Sequence, residues 1–575
     1  MSGTNQLFDP LRIQAPEPDP GQVSLADAWS ANTKALGDYL KPDPGPNPGQ
    51  VSLADAWSAN TKLLTDYLAR QQQEAQDQGL WTGGQVWEGG HPTANGVVDA
   101  AGQTAQGVLM GTTAPGEPPL PAPRPTVPDI GADAPGVAPR VSTRIPWAKS
   151  VTSGPDAIDP HTMPPDLQID LAAHAAGEDA HYNNAMEMRD FPDLPVKGLR
   201  NPDNIIAAAT DHMADNLVYL HNQMVEQFGQ PMVDRASGWY PGANRIANNN
   251  ADQYGYQPQQ TAAMYANLSP QKDWFQNVSL GNRMIDIVNT KADQPTTPQM
   301  MSWARDYLGQ VAEDADTPTK QAALGNLQMS VAGMRNRSLS EINDPDTRAL
   351  WVRAYDEAHN PRDYPVVTPE GDYGDTVTNQ DGTPRQVAWG SFSEIKKAMG
   401  ALEGPGDMPS LSRGLGANHK VRSFYNNIAD PDAPNGDVTI DTHAIAAAHL
   451  RPLSGNDFPV QMGLGLKGSS NSLTGSKGTY GVYADAYRQA ADRLGLLPRQ
   501  LQSITWEGIR GMFSPDQKRD NQFWNDNYDI WSRFKRGDID ADTARALVLQ
   551  HAGGINPPQW HQLPGPQIPP GAPTE

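Results

Sequence analysis

The sequence predicts a mainly α-helical protein carried behind a flexible, Pro/Gly-rich N-terminal arm. Three observations lead there: proline and glycine are abundant but unevenly placed, one helical motif is written twice near the N-terminus, and apolar residues recur at helical spacing over most of residues 166–554. Such a division between a low-complexity arm and a periodic body is the usual mark of a disordered segment joined to a globular one.

The arm comes first. PGQVSLADAWSANTKALGDYL occupies residues 20–40 and PGQVSLADAWSANTKLLTDYL residues 48–68, with differences only at Ala35/Leu63 and Gly37/Thr65. Ser24 and Ser52 suit the N-cap position, where a hydroxyl accepts from free helix N–H groups, and Asp27 and Asp55 follow three residues on. Leu25, Trp29, Leu36 and Leu40 share one helix face, as do Leu53, Trp57, Leu64 and Leu68. Helices this short are marginal alone in water. The expectation is a duplicated docking motif that reaches a partner with avidity; the alternative is that both helices pack on the chain's own body. Residues 1–77 thus form the arm, and residues 78–165, including PGEPPLPAPRPTVPDIGADAPG, read as an extended linker.

The body is expected as a helical subdomain over 166–250, a larger helical domain over 251–512, further helices over 513–554 and a Pro-rich tail over 555–575. Asn201-Pro202 and Asp344-Pro345 are N-cap and first-turn proline pairs. Trp274, Val278, Ile285 and Val288 mark one helix, and Tyr480, Tyr483, Tyr487 and Ala491 another that Gly495 should terminate. Phe523, Trp524, Tyr528, Trp531 and Phe534 mark an aromatic helix whose stripe faces the core. Residues 364–389, with Val/Thr runs about Asp381-Gly382, predict a small β-hairpin inserted between helices.

Composition excludes several chemistries. The chain has no cysteine, so disulfides, thiolate metal sites and cysteine nucleophiles are out. Its net charge of −23 argues against a general electrostatic hold on nucleic acid. No apolar run is long enough to span a membrane, and the N-terminus lacks the features of a signal peptide. His443 and His449 are six residues apart and share no helix face, so neither a metal nor a cofactor is expected.

Residues 411–451 hold the strongest chemical pattern. Gly414-Leu415-Gly416 makes a turn, Lys420 opens a helix behind it, and Val-Thr-Ile-Asp441-Thr442-His443 opens another. This block resembles the helix-hairpin-helix DNA glycosylases of the endonuclease III superfamily, although Ala417-Asn418-His419 lengthens the step from the second glycine to the lysine. The resemblance implies that Lys420 is a Schiff-base nucleophile and Asp441 the carboxylate supporting base departure. It further implies that Gly414, Gly416, His419 and Arg422 approach DNA. The same residues also have a purely structural reading, in which Asp441 is an N-cap, the glycines make a turn and Lys420 is solvated.

Residues 266–287, the block about Asp441 and residues 483–510 together resemble an uncharacterised group of tailed-bacteriophage proteins. That likeness implies a virion-associated protein, internal, ejected or at the head–tail junction. Its repeated helices would dock to another virion protein, several copies would share the assembly, and DNA would be a second partner. Glu313 with Gly325 to Met329 also resembles the lytic transglycosylases, with Asp314 where that family carries serine.

Overall fold

The structure is a computed structural model of the chain. It describes residues 193–563, apart from 380, 417 and 465–477, together with Glu178, Met188, Arg189 and Phe191. The chain divides into two compact units, Met1–Thr93 and Ala94–Glu575, and every described residue belongs to the second. The duplicated motif and its Leu and Trp faces therefore lie outside the described residues.

Eighteen α-helices and one two-stranded sheet make up the described region. The first helices are α1 (Pro202–Phe228), α2 (Gln230–Ser237), α3 (Trp239–Tyr254), α4 (Pro258–Leu268) and α5 (Trp274–Asp286), the last running into a π-helical turn, Ile287–Lys291. After α6 (Pro298–Glu313), α7 (Pro318–Met334) and α8 (Pro345–His359) comes the hairpin of β1 (Pro365–Val367) and β2 (Tyr373–Thr376). Then follow α9 (Phe392–Glu403), α10 (Met408–Leu415), α11 (His419–Ala429), α12 (Thr442–His449) and α13 (Phe458–Leu464). The chain closes with α14 (Tyr480–Leu494), α15 (Pro498–Met512), α16 (Pro515–Arg519), α17 (Asn521–Arg536) and α18 (Ala541–Ala552).

Proline explains much of this punctuation. α1, α4, α6, α7, α8, α15 and α16 each begin on a proline, where the missing N–H would have had no helical partner and the fixed φ suits the first turn. Side-chain caps complete several of them, with Asn201, Thr297 and Asp344 accepting from the first turns of α1, α6 and α8. Gly495 ends α14 in the left-handed conformation, as its position after the tyrosine stripe predicted.

Two groups of helices meet along a seam. In the first, α3, α5, α9, α10 and α11 surround α4. Every residue from Gln260 to Leu268 of α4 is buried, and small side chains there let its neighbours approach closely. Gly281 of α5 meets Tyr265 of α4, leaving no room for a Cβ. In the second group, α1 packs on α12, α14 and α15. α15 also reaches α3, which ties the two groups together. One hydrophobic core runs through both, from Met188 to Trp560, across the boundaries expected at 250/251 and 512/513. Among the described residues no helix is long and apolar enough to cross a membrane.

Two expectations change. The β1–β2 turn lies at Glu370-Gly371 rather than Asp381-Gly382, which instead makes a second, smaller turn closed by Asn379 N–H to Thr383 O at 2.8 Å. The first turn wins because Glu370 pairs with Arg235 of α2 at 2.8 Å, while Gly371 sits against Gly242 of α3. The Pro-rich tail also contributes to the core: Trp560 is fully buried and donates from Nε1 to Glu507 at 2.8 Å. In contrast, α6 and α7 bury few residues, and Met329 is 67% exposed.

Candidate active site

The seam opens into a cleft of about 580 Å³, counted to its mouth. Its aromatic walls are Trp239 and Tyr240 of α3, Trp274 of α5, Phe424 of α11 and Trp506 of α15. Its polar lining includes Ser269, Lys272, Asp273, Lys420, Asp441 and Gln502. Lys420 and Asp441, the pair that the sequence singles out, thus face one space.

Local structure places each of them. α10, the turn at Gly416 and α11 form a helical hairpin. Gly416 adopts φ +73, a conformation that favours glycine. Asn418 accepts from Val421 N–H and caps α11, so Lys420 lies in its first turn. The Lys420 ammonium donates to both the carbonyl and the hydroxyl of Ser269, each at 2.9 Å. Ser269 ends α4, and Gln271 beyond it takes a positive φ. The Ser269-Pro270-Gln271 break is therefore the platform on which the lysine rests.

Asp441 is the N-cap of α12. One carboxylate oxygen accepts from Ala444 N–H at 2.8 Å and the other from Trp506 Nε1–H at 3.2 Å. Across the cleft, Asp273 caps α5 in the same manner, accepting from Gln276 N–H at 2.9 Å. Two helix N-termini therefore hold two carboxylates at one cavity.

Burial pushes the Lys420 amine down to about 8, with Asp441 the foremost of the opposing charges that pull it back up and Glu394 the next. A larger share of neutral amine at neutral pH follows, rising from well under about 0.1% for an ordinary lysine to roughly 10%. Burial likewise lowers Lys272, despite Glu394. Burial holds His443 well below its usual range, with Lys518 and Arg510 adding to the effect.

Other expected contacts fall differently. His419 is fully buried and stacks on Tyr480, with ring centroids 5.3 Å apart. Arg422 is buried and braces the hairpin from within, donating to Gly416 O at 2.6 Å and to Ser412 O at 3.1 Å. Both side chains are committed to the fold, which corrects the expectation that they reach DNA. Gly414 and Gly416 remain partly exposed on the hairpin. Glu313 is exposed at the end of α6, and Gly325 to Met329 lie on α7, away from the cleft lining. Among the described residues no group of histidines and carboxylates is arranged to hold a metal ion.

Sequence reasoning missed the roles of Lys272, Asp273 and Tyr240. The segments that carry the bacteriophage resemblance converge here, with Ser269 and Trp274, Asp441, and Gln502 and Trp506 all lining the cleft.

Fold and cleft together define a helical protein with an amine–carboxylate pair in an aromatic cavity. The chain is similar over residues 204–322 and 379–513 to a family of unknown function, DUF7178. The matched stretches contain every residue lining the cleft, whereas residues 323–378, with most of α7, all of α8 and the whole hairpin, fall between them. No curated protein and no solved structure has significant similarity to the chain.

Proposed function

We propose that the cleft is a nucleobase-excision site in which Lys420 acts as an amine nucleophile. The observation that supports this most is the pairing of a half-buried lysine of lowered basicity with an N-cap carboxylate across one aromatic cavity. The neutral amine would attack the anomeric carbon of an extruded nucleotide, the bond to the base would break, and the base would leave with its electron pair. Asp441 would offset the positive charge that builds on the sugar. Opening of the sugar ring with loss of a proton would leave an imine between Lys420 and the sugar. The aromatic walls suit a planar base, since stacking on such rings is tolerant of base identity.

Borohydride trapping on abasic and base-damaged DNA tests this reading. A covalent adduct should form and vanish in Lys420→Ala, and Asp441→Asn should slow its formation by about 10²–10³-fold. Absence of an adduct on every lesion would reject the nucleophile.

A second reading draws on two other observations, the duplicated motif in the arm and the two hydrogen bonds that occupy Lys420 on Ser269. In it the chain is a virion-associated component docked through the arm, with the cleft binding nucleic acid without cutting it. Deleting residues 1–70 should then release the protein from purified particles, and unchanged association would reject docking.

A further inference from the structure

Gln502, on α15, is 6% exposed and lines the cleft. Its amide has two unlike ends, a carbonyl that only accepts and an NH2 that only donates. Tyr240 of α3, itself buried and lining the same space, sets which end faces where. Its hydroxyl donates to Gln502 Oε1 at 2.9 Å, and α3 packs on α15, so the carbonyl is held back against the wall. The Nε2 end has no partner among the described residues and is not sealed in. On a side chain that lines the cleft, that end is turned to the cavity. The polar groups beside it are engaged: each oxygen of Asp441 already accepts a hydrogen bond, and the Ser269 hydroxyl accepts from Lys420 while donating to Ala266 O at 2.8 Å.

We propose that Gln502 is the specificity-determining residue of the cleft, and that its Nε2–H reads a ring carbonyl and so selects an oxo-base over its amino counterpart. The inference rests on the reading above that a base enters the cavity. A base laid against Trp239 or Trp506 is told apart by its edge alone, because every base has a face that stacks. Edges differ where one base carries a carbonyl and another an amino group, as hypoxanthine and adenine do at one ring position, and uracil and cytosine at another. The amide N–H meets the carbonyl with a hydrogen bond. Against the amino group, two donors face each other and both lose their partners in water without gaining one. Asp273, with one oxygen committed to its cap and the other uncommitted, accepts from the ring N–H that the oxo-bases carry and that adenine and cytosine lack. Tyr240 acts as the positioning residue: without its hydroxyl the amide can turn over and present either end.

Short single strands of base-free tetrahydrofuran residues, each carrying one central base, isolate that edge. Binding to the full chain is read by fluorescence anisotropy, and attack by borohydride trapping. Hypoxanthine should bind more tightly than adenine, and uracil more tightly than cytosine, each by about tenfold, the effect of one hydrogen bond made or left unmade in a closed site. Gln502→Glu puts an acceptor where the amide N–H stood, at nearly the same volume, and should reverse both preferences. Tyr240→Phe should bring both ratios toward one. Each preference is a ratio within one protein, so a variant that merely folds less well leaves it unchanged. Equal or reversed affinities in the wild type overturn the reader even where an adduct forms, and leave Lys420 as the nucleophile. Preferences that survive in Gln502→Glu overturn it as well. Preference without any adduct supports the reader and rejects the nucleophile, and binding to none of the strands rejects both.

Discussion

Two clusters of buried charge, one about Asp193 and one about Lys420, are built to opposite plans. Asp193, His449 and Arg451 are sealed in the core, at most 3% exposed. Asp193 meets His449 at 2.5 Å and Arg451 at 3.5 Å, while the second nitrogen of His449 bonds the Tyr483 hydroxyl at 2.9 Å. Arg451 in turn lies over Trp524 and Tyr528. Every charge there has a partner of opposite sign, and burial raises the Asp193 carboxyl less than His449 and Arg451 lower it, leaving it well below the usual carboxylate range. The Lys420 cluster faces open space, and its cations exceed the carboxylates in contact with them. A closed cluster stabilises one conformation, whereas an open one keeps charge available for a ligand.

The largest expected effect falls on the closed cluster. Asp193→Ala leaves the Arg451 guanidinium and the His449 ring buried without their carboxylate and should cost about 3–5 kcal/mol in denaturant unfolding. A loss below about 1 kcal/mol would erase the contrast drawn here. Because the folded Asp193 is more acidic than the unfolded one, its contribution is complete above about pH 4 and disappears as pH falls through the lower folded value. Asp193→Asn should flatten that acid dependence.

Packing alone gives the next effect. Trp560→Ala removes a fully buried ring and one of the two indole N–H groups that bond Glu507. It should cost about 3 kcal/mol, and a much smaller loss would show that the C-terminal segment is not part of the core.

At the open cluster the sign reverses. Lys420→Met should leave stability at pH 7 unchanged or raised, since it removes a charge that burial disfavours. Wild-type Lys420 is penalised below about 8 and relieved as pH rises toward 10.5, so the two proteins should converge over that window. Convergence absent from paired melts at pH 7 and 10 would mean that Lys420 is better solvated than the cleft suggests. The smallest effect belongs to exposed Glu313, where Glu313→Gln should shift stability by less than about 0.5 kcal/mol and leave DNA trapping unaltered.

Much of the candidate site was legible. Lys420 opening a helix, Asp441 as an N-cap and the Ser269, Gln502 and Trp506 segments all stood out locally, because caps and helix starts are written in neighbouring residues. His419 and Arg422 were misjudged because a charged or polar residue beside a glycine turn reads the same whether it faces outward or inward. The hairpin turn was misplaced for a similar reason, since Asp381-Gly382 is the better local turn but Arg235 and Gly242 select Glu370-Gly371.

By itself, the sequence determined that the body is helical, where many of its helices begin and end, and which two residues could form a nucleophile and its carboxylate. Those features depend on backbone groups satisfied within a few residues of one another. Only the tertiary structure decided that Lys420 rests on Ser269 and that five aromatic side chains from four helices enclose one cavity. Burial and electrostatic fields are sums over neighbours distant in the chain, and they exist only once the two groups of helices have met.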